Sequence, residues 1–565
     1  LRLAPAGRGV QVPASPWIGG RIDSANGRQV QTGLDGRQGP WRYSVEVSQD
    51  EFHDRITGRR GDRNIFGPGR DAYRGVPNTA YSQWAAAGRA AFDGWDDRSQ
   101  ELALGHTRQE DARRPDGYFE NSGRAERISR FYDPTTFSYV HLRDLWVPGT
   151  RRLDSLTHTV WWHQFREDQI REDLAGGGRI YRRRENDDRI DSLGWEIQAT
   201  TLFGNRAWTY GATVLHERTR NDFREFRNPA GPEAADARPH QPERWAENTT
   251  ITDGATYRTY AIFLQDLWQV TDAFTLLTGV RYSYVTWDFD VADGSADDVS
   301  GGLRATYRLT DSQQVFAGLS KAFRAPNLND LDGATDRGSS GTLAFGNPDL
   351  RPELSYTAEI GWRYQSGRDQ VALSLFYTEL EDLIQSVFPE SGGAGMMQNA
   401  ESGYLRGGEL MWDVGLPWSP AGGKRLALIG AMSLVDSEVD VPQADGSVRT
   451  EPISRANRVF GRVGLHYDLD AHWWFRAQTR FHDAYSSRDV TAADRNDVRH
   501  TVPGNPDGSL PGYALVDLSA GWNSLDGDRW LSLTLENLGD KTYRPLGSGA
   551  DGAGRNLVLA GGFRF

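Results

Sequence analysis

Leu354-Ser-Tyr-Thr-Ala-Glu-Ile-Gly-Trp-Arg-Tyr364 is the stretch that decides the fold. Its even positions are Leu354, Tyr356, Ala358, Ile360, Trp362 and Tyr364. Its odd positions are Ser355, Thr357, Glu359, Gly361 and Arg363. A period of two describes a strand with one apolar and one polar face. After a break at Ser366–Asp369 the pattern resumes: Val371, Leu373, Leu375 and Tyr377 alternate with Ala372, Ser374, Phe376 and Thr378. The same reading holds for Leu531, Leu533 and Leu535 against Ser532, Thr534 and Glu536. It holds again for Phe274, Leu276, Val280, Tyr282 and Tyr284 against Thr275, Gly279, Arg281 and Ser283. No stretch shows a convincing helical period.

Composition narrows the class. Only 38% of the 565 residues are hydrophobic, yet there are 19 Trp, 21 Tyr and 23 Phe. So many aromatics argue against a disordered chain. No stretch reaches the roughly 18 uninterrupted apolar residues of a membrane helix. A β-barrel escapes that test, because it spans with strands of about 10 alternating residues. The net charge of −13 disfavours a general affinity for nucleic acid. The absence of cysteine excludes a thiolate nucleophile, a Cys zinc site and a disulfide framework.

Short and long links alternate. Short ones are Thr271–Ala273, Thr310–Ser312, Ser366–Asp369, Asp470–Ala471 and Asn523–Asp528. Long ones are Asp290–Ser300, Arg324–Glu353, Pro389–Gln398, Asp440–Glu451, Ser486–Pro511 and Lys541–Gly554. Tight turns at one end and long loops at the other describe an up-and-down meander. In bacterial outer-membrane barrels the turns face the periplasm and the loops face outside. Strands are expected near 8–18, 22–33, 41–54, 79–92, 97–110, 136–147, 153–167, 189–203, 207–219, 257–269 and 274–289. The others fall near 301–309, 313–323, 354–365, 370–386, 400–415, 425–438, 454–468, 472–485, 512–523, 529–538 and 555–565. That makes about 22, an even number, as closure of a single-chain antiparallel barrel requires. The expected fold is therefore all-β: one transmembrane antiparallel barrel over residues 1–565, with no linker dividing it. The last strand places Leu557, Leu559, Phe563 and Phe565 on one face and ends in an aromatic that could close against the first. Trp268, Trp287, Trp362, Trp474, Trp522 and Trp530 sit near strand ends, where interfacial girdles form.

Several segments resemble the TonB-dependent outer-membrane receptor family. They are Tyr260-Ala-Ile-Phe-Leu-Gln-Asp-Leu-Trp268 with Leu277-Thr-Gly-Val-Arg-Tyr282, and Phe316-Ala-Gly-Leu-Ser-Lys-Ala-Phe-Arg-Ala-Pro326 with Asn347-Pro-Asp-Leu-Arg-Pro-Glu353. Asn399-Ala-Glu-Ser-Gly-Tyr-Leu-Arg-Gly-Gly-Glu409 and Glu536-Asn-Leu-Gly-Asp-Lys-Thr-Tyr543 match further blocks. The resemblance is strong over 257–565 and only a matter of pattern before that. It implies a 22-stranded barrel in the bacterial outer membrane with an N-terminal plug inside. It also implies import of an iron complex, such as a siderophore, or of another scarce nutrient, driven by TonB. The first expected strand begins near residue 8, so no plug domain is expected within this chain. A barrel this wide cannot be filled by its own side chains. Either a plug is supplied to it, or it is a plugless structural or interaction component of an envelope assembly. Expected partners are outer-membrane lipid and lipopolysaccharide, and a separate plug or envelope protein in the lumen. TonB joins them only where a plug is present, and no nucleic acid is expected.

The chemistry-bearing residues point to no enzyme. No G-x-S-x-G elbow, P-loop or triad stands out, and Gly176-Gly177-Gly178 lacks the P-loop ending. No catalytic residue, metal ligand or cofactor is assigned. Glu359, Arg363, Arg281 and Asp517 are expected to face a wet lumen. Residues 327–346 contain no His, so haem binding lacks its best residue there. The acid-rich run Asp288–Asp298 departs from EF-hand spacing and reads as a solvated outer loop. In Trp161-Trp162-His163 and Ala471-His472-Trp473-Trp474, a ligand role would need converging His or carboxylates, so wall packing is expected. Arg182-Arg183-Arg184, expected in an outer loop, could touch anionic lipopolysaccharide or be an ordinary charged loop. Arg151-Arg152 is a second basic cluster. Substrate-binding residues are expected mainly within 324–353, 387–399 and 486–511.

Overall fold

Alternation along each strand leaves every segment with one face that water rejects, and a closed cylinder is the arrangement that turns all of these faces outward. A computed structural model describes residues 12–60, 75–76, 78–113, 128–150, 152–175, 179–227, 241–243, 252–290, 292–332, 334–336, 343–387, 395–418, 424–443, 445–491, 508–548 and 550–565. Twenty-two long strands form the wall. They are β1 (Val12–Asp23), β2 (Arg28–Gln38), β3 (Trp41–Phe52), β4 (Tyr81–Phe92), β5 (Arg98–Glu110), β6 (Ile128–Trp146), β7 (Ser155–Ala175), β8 (Arg179–Phe203), β9 (Arg206–Arg227), β10 (Thr256–Gln269) and β11 (Phe274–Phe289). The remainder are β12 (Ala292–Thr310), β13 (Gln313–Arg324), β14 (Glu353–Ser366), β15 (Asp369–Glu381), β16 (Ser402–Gly415), β17 (Arg425–Pro442), β18 (Val459–Asp468), β19 (Trp473–His482), β20 (Tyr513–Asn523), β21 (Arg529–Glu536) and β22 (Asn556–Arg564).

Each strand pairs antiparallel with its neighbours in sequence, and β1 pairs with β22 to close the cylinder. At that seam Ile18 faces Phe563, Gly19 faces Gly562, Gly20 faces Gly561 and Ile22 faces Leu559. The Phe565 amide donates to the Pro16 carbonyl at 2.9 Å. Three short strands, Ala112–Arg113, Gln241–Glu243 and Val448–Glu451, lengthen the sheet at one rim.

The register identifies the outer face. Ile22, Ile262, Leu319 and Ile360 are 59%, 61%, 63% and 58% exposed, and the paired rows place them on one side of the sheet. Exposure of that many large apolar side chains is stable only against lipid. The opposite face is the lumen. Among the described residues no helix is long and apolar enough to cross a membrane, so the crossing is made by strands.

Some lumenal rows interlock a large ring with a glycine on the next strand. The Trp161 ring lies over Gly194 and the Trp474 ring over Gly521. A Cβ on Gly194 would sit 2.0 Å from Trp161 Cε2, and one on Gly521 2.2 Å from Trp474 Cε2. Glycine is required there because the ring occupies the volume a side chain would need.

Three expectations are corrected. The first hairpin turns at residues 24–27, not at 19–21, because Gly19 and Gly20 pair in register across the closing seam. Asp290–Ser300 is not a long loop: Phe289 faces Ala292, and the acidic run continues the β11–β12 hairpin. Trp287 and Phe289 carry that extension inward as buried residues, while Asp288 and Asp290 point to solvent. Arg182–Arg184 lies within β8 rather than in a loop, since β7 and β8 run well past the apolar band. All three arginines are ion-paired inside that hairpin, to Glu172, Asp173 and Glu185. Gly176–Gly178 and Arg151 lie outside the described residues.

Candidate functional site

The end opposite the short turns carries folded structure. Residues following β13 begin with Asn327 capping a single helical turn, α1 (Leu328–Leu331); its side chain accepts the Asp330 amide at 3.1 Å. Four short strands follow: Ala334–Asp336, Leu343–Phe345, Ile384–Val387 and Gly395–Asn399 join in one small sheet. Two of the segments expected to bind substrate, 324–353 and 387–399, are thus brought together as one body. Its apolar underside packs Leu331, Leu350, Ile384 and Met397 against Val285, Trp287 and Phe289 of the β11 extension.

Arg324, the last residue of β13, ties this body to the wall. Its Nη1 donates to Asp330 at 2.8 Å, and its Nε and Nη2 form a forked pair with Glu353, the first residue of β14. Glu353 also accepts the Ile384 amide at 2.7 Å. Asn399 locks the second loop: its amide side chain donates to the Arg351 and Asp382 carbonyls at 2.9 and 2.6 Å and accepts the Arg351 amide at 2.9 Å. The quoted motif residues Arg324, Glu353 and Asn399 therefore serve as rim clamps. Replacing Arg324 with Gln should expose 325–350 and 384–399 to limited proteolysis while the barrel keeps its folded gel mobility. An unchanged cleavage pattern would remove the clamp role.

A second loop body has a small core of its own. Tyr485, Val490 and Leu510 are buried together with Leu546. Arg60 and Lys541 form one bridge to the segment that follows β3, and Thr57 and Ala553 a second. Asn537 is its clamp, donating to the Lys541 and Ala553 carbonyls at 2.8 and 3.0 Å and accepting the Lys541 amide at 2.9 Å. The Asn537 amide reaches back to Asp517 in the wall at 2.9 Å, and Arg480 holds Asp517 from the next strand at 2.6 and 3.1 Å. In this loop burial raises the Tyr543 pKa and lowers that of Arg544, with Asp551 opposing the latter. Of the expected binding segment 486–511, residues 492–507 lie outside the described residues.

The expected lumen residues face the lumen. Glu359 accepts Ser374 Oγ at 2.5 Å and lies 3.7 Å from Arg304. The Arg304 and Arg363 guanidiniums flank the Phe316 ring, 3.9 and 5.1 Å from its centroid. Arg281 donates to Ser283 at 3.2 Å. The two Trp/His segments part company. His472 lies in a periplasmic turn, with Nδ1 2.8 Å from the Asn523 carbonyl and its ring stacked on Trp522. His163 meets His141 across the β6–β7 pair, Nε2 to Nε2 at 2.6 Å. His141 carried no sequence signal; only the register brings it there. Among the described residues no group of three or more His, Asp or Glu is placed to hold a metal ion.

The model for the TonB dependent receptor-like β-barrel matches residues 50–538. The chain belongs to that family. It is accordingly an integral barrel of the bacterial outer membrane. The vitamin B12 transporter BtuB of Vibrio vulnificus is 25% identical over 340 residues, covering 53% of this chain and 48% of that protein. The iron-regulated outer membrane virulence protein of Vibrio cholerae is 32% identical over 129 residues, covering 23% and 19%. The chain spans about half or less of the length of these relatives. Among solved structures, the copper transporter OprC superposes with a TM-score of 0.74 at 15% identity, covering 99% of this receptor barrel and 81% of that chain. That likeness is one of fold. BtuB and OprC are transporters.

Proposed function

We propose that this receptor barrel carries an iron complex or another scarce nutrient across the outer membrane. The two loop bodies catch the ligand at the outer mouth, and the lumen is its route. The observation that carries this reading is the pairing of a family match over 50–538 with two clamped loop bodies above one polar-walled lumen. A cylinder of 22 strands leaves more room than its own side chains fill. We therefore infer that a plug, joined to residues 1–565 or supplied separately, gates the passage and receives the pull of TonB. The charged outer surface of the long β6–β9 strands suits the headgroup layer of lipopolysaccharide, and the apolar band suits lipid. We assign no catalytic role, no resident cofactor and no nucleic-acid partner.

The test is uptake in cells lacking the chromosomal gene and complemented by it. Radiolabelled ferric siderophores, haem and cobalamin would be supplied in turn, with and without TonB. One ligand is expected to accumulate only when both gene and TonB are present. No gene-dependent uptake of any of them, with the barrel recovered instead in a stable envelope complex, would favour a structural role.

A further inference from the structure

His141 on β6 and His163 on β7 occupy diagonal positions on the lumenal face, for His141 faces Trp161 and His163 faces Tyr139 in the register. Their rings are 4.9 Å apart at an interplanar angle of 37°. Tyr139 flanks His141 at 5.2 Å and Phe137 flanks His163 at 5.6 Å, which limits where either imidazole can turn. At an Nε2–Nε2 separation of 2.6 Å one ring donates and the other accepts, so the two lone pairs converge on one point once the shared proton is elsewhere.

We propose that His141 and His163 form a two-imidazole site on the lumen wall for a borderline divalent transition-metal ion, with Cu2+ preferred over Zn2+. Metal–imidazole bonds of about 2.0–2.1 Å at near-right to tetrahedral angles need nitrogens roughly 3 Å apart, a few tenths of an ångström beyond the present separation. Entry of the ion moves the donor ring's proton from Nε2 to Nδ1, and both Nε2 lone pairs then point at the metal. One Nε2–H bond breaks and one Nδ1–H bond forms on the same ring, so each imidazole stays neutral and no proton leaves the pair. The nearest acidic group in the same row, Glu217, sits two strands from His163 and accepts Ser192 Oγ at 3.1 Å. The protein thus supplies two ligands, and water or a ligand arriving with the ion completes the shell. Closed structural sites use four protein ligands, so this open pair describes an exchangeable stop in the lumen. Imidazole favours copper over zinc in the usual affinity order of divalent ions. This site goes beyond the transport reading and does not depend on it: the site can bind metal whether or not any nutrient is imported.

The experiment is Cu2+ titration of the purified full chain in detergent, followed by electron paramagnetic resonance. One ion coordinated by two imidazole nitrogens is expected. His141→Gln and His163→Gln should each lose one nitrogen from the spectrum and weaken binding at least tenfold, while His482→Gln should change neither. Cu2+ should also shield His163 of the wild-type chain from diethyl pyrocarbonate, a readout that needs no variant to fold. Equal binding by wild type and both variants, or Cu2+ that leaves His163 modification unchanged, overturns the site.

Discussion

Gly194→Val is expected to remove most of the folded, heat-modifiable barrel from outer-membrane preparations. A Cβ at 194 would lie 2.0 Å from Trp161 Cε2 and 2.1 Å from Cζ2, and valine adds two methyls beyond it. The ring belongs to the adjacent strand in direct register, so relief requires either the indole to leave its seat or the β7–β8 ladder to part. Overpacking of this kind typically costs about 1–3 kcal/mol, and more where the opposing group is rigid. Each 1.4 kcal/mol is about a factor of ten in the folded ratio. Adding Trp161→Ala vacates the same volume, so the double variant should recover the folded band. The measurement is the shift in gel mobility between boiled and unboiled samples. A Gly194→Val chain that folds as well as wild type would show that the ring is not held over this glycine.

The second large effect is expected at Asp517. This carboxylate is buried, and three neighbours depend on it: Arg480 through two hydrogen bonds, Gln478 at 3.4 Å and the Asn537 amide. Breaking a fully buried ion pair costs about 3–5 kcal/mol. Arg480 still reaches water, so that figure must be discounted, and the orphaned amide adds about 1–3 kcal/mol. Asp517→Ala should therefore raise local opening of residues 537–555 by roughly tenfold or more, read as faster amide hydrogen exchange there. Exchange in β14 and β15, on another part of the wall, should stay as in wild type. Asp517→Asn, which keeps one acceptor oxygen, should fall between the two. Unchanged exchange in 537–555 would mean that Asn537 holds the loop without the wall.

Much of this molecule could be read from alternation alone. Ile360 and Leu375 belong to a lipid face and Glu359 to a lumen because each strand must present two different solvents to its two sides. The five short connections named from the sequence were equally legible, because turn residues cluster there, as at Ser366–Asp369. Failures came where composition misled. The run Asp288–Asp298 is acidic enough to read as a loop, yet Val285, Trp287 and Phe289 keep the strand period and bury against the outer loop body. Arg182–Arg184 misled in the same way, because strands that rise above the lipid no longer need an apolar face and carry ion pairs instead.

The site was less visible than the wall. The Arg324, Glu353 and Asn399 blocks stood out as motifs, but nothing in the order of residues says that they clamp loops. That role appears only when β13 and β14 bring Arg324 beside Glu353. The meeting of His141 with His163 is hidden for the same reason: the two are far apart in the text and adjacent only through a register that spacing cannot supply.

The ladder joining β1 to β22 has a bearing on how such a chain must be made. Every peptide group in lipid needs a mate, and the mates of the opening strand are spoken last. A sheet of twenty-one strands would leave two raw edges in hydrocarbon, so no shorter version of the wall has a resting place there. The glycines facing one another at Gly19–Gly562 and Gly20–Gly561 add no side chain of their own to that seam, and Trp530 of β21 and Gln31 of β2 lean over the space beside Gly562 and Gly19. Insertion should therefore be all-or-nothing, with the fate of the barrel decided by whether Asn556–Arg564 pairs with Val12–Asp23.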